Sequence, residues 1–198
     1  ATIVANDAYI ELDHGRLQCN GSIPRSAFGG ASWRESIQTL ANEDVHAQGA
    51  IDLAKLASAL PQTLRIREDT TITGGQLTFD AHSQADDDQR TWKLQLASTN
   101  LTAETGGRPV VWKQPIVVQV AARETTSGPE IDELTCHCDF LQLGGRGGLT
   151  EAAFSARANL TLLAQRLGDF VDLRDMALAG TAEMNLRLKR RLNTSLVD

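Results

Sequence analysis

The chain has 198 residues, 25 acidic side chains against 19 basic, a formal charge of −6 and an apolar fraction of 41%. That length suits one ordinary domain or two small ones, and the apolar fraction argues for a packed core and against disorder. The acidic balance argues against nucleic acid as a partner, and no apolar run is long enough to cross a bilayer as a helix.

The sequence opens Ala-Thr-Ile-Val-Ala-Asn, with no initiator methionine and no signal-peptide pattern, which predicts a piece of a longer protein. Leu17-Gln18-Cys19 reads as strand and Asn20-Gly21 as a turn, since both residues tolerate positive φ. Within 29–48, Ser32-Trp33-Arg34-Glu35 is a capping-box pattern followed by Ile37 and Leu40, so a helix is expected there, with extended chain as the alternative. Asp52 precedes Leu53, Leu56, Ala57 and Leu60, and Pro61 follows: an N-cap, an apolar stripe at helical spacing and a stop, giving a helix near 53–60. Leu77, Phe79 and Ala81 then alternate with Gln76, Thr78 and Asp80, which is the period of a strand with one buried and one wet face. Asp86-Asp87-Asp88 reads as a hairpin tip before a second alternating strand with Trp92, Leu94 and Leu96.

Gly106-Gly107 marks a break, and Pro115 opens a strand carrying Ile116, Val118 and Val120. The run Gly144 to Gly148 predicts a turn or bulge, because it lacks the lysine and hydroxyl residue of a phosphate loop. Asn159, with Leu160, Leu163, Ala164 and Leu167 before Gly168, repeats the earlier helix pattern near 160–167. Met184, Leu186 and Leu188 form a last alternating strand.

The two helix patterns lie in a weak internal repeat. Asp52 and Asn159, with their stripes and stops, align; downstream Gly75 aligns with Gly180, and upstream Leu17-Gln18 aligns with Leu141-Gln142. This predicts a first β-rich repeat over 1–107, interrupted by the 29–48 insertion, and a second over 108–198, together forming one continuous unit.

Chemistry is sparse. On a strand, Cys136 and Cys138 share a face with Leu134 and Phe140 while His137 points the other way, so the three cannot close on one zinc. Asp86-Asp87-Asp88 lacks the rest of a calcium loop, and His14, His46, His82 and His137 have no paired spacing. No serine or cysteine sits in an activating motif, so no catalytic residue, metal or cofactor is expected.

The stretch from Gly49 to Pro61, followed by Gly74-Gly75-Gln76-Leu77-Thr78-Phe79 and the strands near 92–102 and 108–121, resembles the AsmA/TamB-like superfamily. That resemblance implies a non-enzymatic protein of the periplasm or cell envelope of a Gram-negative-type bacterium. It implies curved antiparallel sheet repeats whose apolar face moves or organises lipid, with phospholipid, neighbouring repeats or envelope proteins as partners. The expected fold is mainly β, a β-groove or sandwich-like arrangement with two or three short amphipathic helices. Leu77, Phe79, Trp92, Leu94, Leu96, Ile116, Val118 and Val120 are the candidates to line the groove. The alternative is an interaction module whose strand faces close into a core against the helices and a second sheet. A hydrolase or carbohydrate-active β domain is a third reading, which requires a polar cleft with paired carboxylates.

Overall fold

A computed structural model describes residues 2–24, 42–61, 63–86, 89–171 and 177–189, with backbone alone at 2, 3, 5, 6, 23 and 24. The alternating segments form strands β1 (Thr2–Leu12), β2 (Gly15–Pro24), β3 (Val45–Asp52), β4 (Thr70–Asp86), β5 (Gln89–Thr105) and β6 (Arg108–Trp112). They continue as β7 (Val117–Thr125), β8 (Gly128–His137), β9 (Leu141–Gly147), β10 (Glu151–Asn159) and β11 (Thr181–Lys189). Helix α1 (Leu53–Ala59) joins β3 to β4, and helix α2 (Leu160–Gly168) joins β10 to β11.

The strands make one antiparallel sheet in the order β1-β2-β3-β4-β5-β7-β8-β9-β10-β11, with β6 paired to the far end of β5. The sheet does not close, and the sandwich-like arrangement is absent among the described residues. Among the described residues, α1 packs on β4 and β3, and α2 packs on β10 and β11. The capping-box segment and the possible third helix at 32–40 lie outside the described residues, while 45–48 at the end of that insertion belong to β3. The 107/108 boundary falls in the β5–β6 turn, and the sheet runs through it by way of β5 and β7.

Both helices begin as their sequences dictate. The Asp52 side chain accepts from the Lys55 amide, and the Asn159 side chain accepts from the Leu162 amide, each satisfying a donor that the first helical turn leaves free. Seven and nine residues are too short to persist alone, so packing must hold these helices. Antiparallel alternation places α1, β6, the β8–β9 connection and α2 at the same end of the sheet, where they build its core. Ala57, Ile72, Ala103, Trp112 and Phe170 are buried there, with Ile66, Leu101, Val110 and Phe140 packed around them. The Trp112 ring lies 5.6 Å from that of Phe140 and 6.2 Å from that of Phe170.

The segments that follow the two helices dock on each other. Ile66 and Val171 form an isolated bridge, and the Arg67 amide donates to the Phe170 carbonyl. The Arg67 guanidinium donates at 2.9 Å to the Gly168 carbonyl at the end of α2, where the helix dipole favours a cation. Asp69 holds that guanidinium from the other side through two hydrogen bonds, and these hold its carboxyl below the usual carboxylate range. The Thr70 and Thr105 hydroxyls both donate to the Asp169 carbonyl.

Trp112 is central to this packing, yet among the described residues its buried indole N–H has no hydrogen-bond partner. Trp112→Ala therefore costs about 3–5 kcal/mol from the lost ring and the cavity left behind. Trp112→Phe keeps an aromatic ring and removes an unpaired buried donor, so its cost stays below about 1.5 kcal/mol. Urea unfolding followed by circular dichroism measures both; equal losses would show that the indole N–H is satisfied in solution.

Candidate functional site

The register carries one set of apolar side chains across the whole sheet. Ile10, Leu17, Gly49, Phe79, Leu96, Val118, Cys136, Leu143, Ala156 and Met184 are paired in turn, strand to strand, with no polar residue among them. A second such row runs Ala8, Cys19, Ala47, Ala81, Leu94, Val120, Leu134, Gly145, Phe154 and Leu186. Residues paired in a strand ladder point to the same face, so both rows lie on one side. At about 4.8 Å per strand the rows extend roughly 43 Å.

The opposite side carries a matching polar row, and its next row includes Ala50, Ala97 and Val117. Tyr9, Gln18, Gln48, Asp80, Gln95, Gln119, Thr135, Gly144, Ser155 and Asn185 form the corresponding row. Gln48 donates to Gln18 at 2.8 Å within it. His46 and His82, unrelated in sequence, are register partners on this face, with ring centroids 5.1 Å apart and His46 Nε2 3.1 Å from an Asp80 oxygen. Among the described residues no three His, Cys, Asp or Glu side chains gather as a metal site. A hollow of about 520 Å³ is lined by Thr135, His137, Gln142, Gly144, Ser155 and Arg157, among others. Its only carboxylate is that of Glu183, which is tied to Arg157 at 2.9 Å. The paired carboxylates that a glycoside-type hydrolysis needs are not in it.

Seven of the eight groove candidates share the apolar side. Phe79, Leu94, Leu96, Val118 and Val120 stand in the two complete rows, Leu77 follows Ile51 beyond Phe79, and Trp92 is paired with Ala122 next to Val120. All seven are half-buried and none is fully buried, as expected of side chains flanked in the sheet but with no described layer above them. Ile116 is placed elsewhere. It precedes β7, exchanges hydrogen bonds with Ser98 and packs against the core at the helix end.

Several members of this face were not candidates from sequence. Gly49 lies opposite Phe79, and a Cβ on it would come within 2.5 Å of the Phe79 ring. Gly145 lies opposite Phe154, where a Cβ would meet the ring at 2.1 Å. Each phenylalanine thus lies across a neighbouring glycine, so Gly144 and Gly145 belong to β9 and only Gly147-Gly148 approach the turn. Asn20-Gly21, expected as a turn, lies inside β2, where Gly21 keeps its positive φ at 140° while pairing on both sides.

Two cysteines report on the face directly. Burial pushes the Cys19 thiol up, and burial with the neighbouring Cys138 pushes Cys136 up, so both are thiols and poor nucleophiles at neutral pH. Maleimide labelling of Cys136 at neutral pH is expected to run at least about tenfold slower in the folded chain than in urea. Equal rates, followed by peptide mass spectrometry, would contradict the placement of Cys136 between Val118 and Leu143. Comparisons with protein-family models, curated proteins and solved structures gave no match to this chain.

Proposed function

We propose that this chain is a non-enzymatic lipid-handling segment, in which acyl chains lie on the apolar side of the sheet and head groups meet water at its margins. The observation that carries this reading is the pair of unbroken apolar rows over ten strands, with no described layer covering them outside the helix end. Two rows spaced by about 6.8 Å along the strands cover roughly 600 Å² of sheet, already at the upper end of the largest apolar patch on ordinary monomers. A patch of that size marks an interaction surface. A bilayer core of about 30 Å holds two acyl layers, so one chain needs about 15 Å and the 43 Å track accommodates more than one.

Binding of this kind requires continuous apolar contact and no reacting group. The resemblance to AsmA/TamB-like proteins points the same way and suggests the bacterial envelope as the setting, with phospholipid as cargo. Among the described residues no helix is long and apolar enough to cross a membrane. The interaction-module reading draws its support from a different feature, the sheet edges β1 and β11, which no other described strand pairs.

Native mass spectrometry after incubation with phosphatidylethanolamine–phosphatidylglycerol vesicles tests the lipid reading. The unmodified chain is expected to retain phospholipid, and Leu94→Glu to retain about tenfold less, equivalent to about 1.4 kcal/mol, while melting cooperatively near the parent temperature. Bound lipid should also slow maleimide at Cys136. A lipid-free parent would overturn the proposal. So would a Leu94→Glu chain that fails to fold, since only a closed core makes that charge so costly.

A further inference from the structure

We infer that β11 is a self-pairing edge, and that two copies of this chain join β11 to β11 antiparallel, about a twofold axis through Asn185, into one continuous sheet. Among the described residues the sheet has two free edges, and they differ. β1 is interrupted by a register shift between Ala5 and Ala8, where Asp7 adopts φ 52°, and such a bulge blunts an edge against pairing. β11 pairs with β10 without a shift from Thr181 to Lys189 and contains no proline, and all nine of its residues are exposed. Its outer backbone groups are a template for another strand. The apolar rows run off this edge uncapped, with Met184, Leu186 and Leu188 at 49%, 40% and 52% exposure.

The strand is complementary to itself. Antiparallel pairing centred on Asn185 sets Met184 opposite Leu186 of the second copy and Ala182 opposite its Leu188, all on the apolar side. On the polar side it sets Glu183 opposite Arg187 of the second copy, twice by symmetry, as an isologous interface requires. Glu183 already meets Arg157 on its inner flank at 2.9 Å, so the pairing completes an Arg–Glu–Arg ladder across three strands. Main-chain hydrogen bonds supply the affinity and these exposed charges fix the register. A nine-residue edge falls short of a standard-size interface, so the dimer is concentration-dependent. The pairing does not rest on lipid binding.

Sedimentation across a concentration series, on lipid-free protein, is the test. The parent is expected to dimerise, and Arg187→Glu, which sets two glutamates against two glutamates, to raise the dissociation constant at least about tenfold. The triple variant Arg157→Glu/Glu183→Arg/Arg187→Glu restores opposite charges on both flanks of residue 183 and should recover the dimer. Hydrogen exchange should show concentration-dependent protection in β11 and none in β1. A monomer at all concentrations overturns the inference, as it would if another strand of a longer protein were the natural occupant. A dimer indifferent to Arg187→Glu, not rescued by the triple variant, protected at β1, or formed only with lipid also overturns it.

Discussion

A sheet with one apolar and one polar face depends on register, because a slip of one residue moves every side chain of a strand to the wrong side. This chain keeps register over ten strands by spending extra residues where alternation would otherwise fail. On β8, Leu134 and Ile131 have opposite parity, and the bulge between them returns Ile131 to the same row as Ala122 and Gly147. On β5 the apolar positions change from 92, 94 and 96 to 101 and 103, across paired irregularities with β4 at Gly74 and Asn100. Each bulge increases twist locally and keeps the row intact. The apolar face is therefore a property of the whole pairing scheme, and of no single strand.

That dependence also explains what the sequence disclosed and what it hid. Uninterrupted alternation in Leu77–Ala81, Trp92–Leu96 and Met184–Leu188 is legible from period alone, and so are both helices, whose Asp52 and Asn159 caps stand directly before their stripes. A bulge breaks the period, so the change of parity on β5 after Asn100 and the start of β8 are not legible as parts of the face. Glycine misled for a different reason. Gly144 and Gly145 carry the composition of a turn, but Gly145 leaves room for the Phe154 ring, a cross-strand relation that no local window contains. The His46–His82 pairing, 36 residues apart, is hidden in the same way. Ile116 shares the parity of Val118 and Val120 but precedes the first paired residue of β7, so the helix-end core claims it.

Packing is unevenly distributed along the strands. At the helix end, Trp112, Phe170 and Ile72 are enclosed by pieces of chain about 100 residues apart, linked by Arg67 to the end of α2. A second tie, Arg166 to Asp139 at 2.8 Å, fixes α2 to the β8–β9 connection. Toward the other end the described elements are strands and tight turns, held by ladder hydrogen bonds, cross-strand pairs and loop ties such as Asp44 to Arg90 and to the Ala85 amide. The two helices occupy matching positions, each inside the connection of an adjacent antiparallel pair, β3–β4 and β10–β11. The arrangement anchors both helical connections in one core, and no other described element covers the apolar rows.

The two surfaces left by this fold make separate physical demands. The apolar face calls for material above the plane of the sheet, since its deficit is contact with water and the remedy is apolar area. The edge of β11 calls for a partner within that plane, since its deficit is unpaired amides and carbonyls, which acyl chains cannot satisfy. A second copy joined at β11 lengthens the face without covering it, because both copies present their apolar rows on the same side. On the proposed reading, lipid would cover the face and leave the edge free. One occupant therefore does not compete with the other. If both proposals hold, the dimer would double the track along which an acyl chain meets no polar interruption, because the inferred pairing sets Met184 opposite Leu186 of the second copy at the seam.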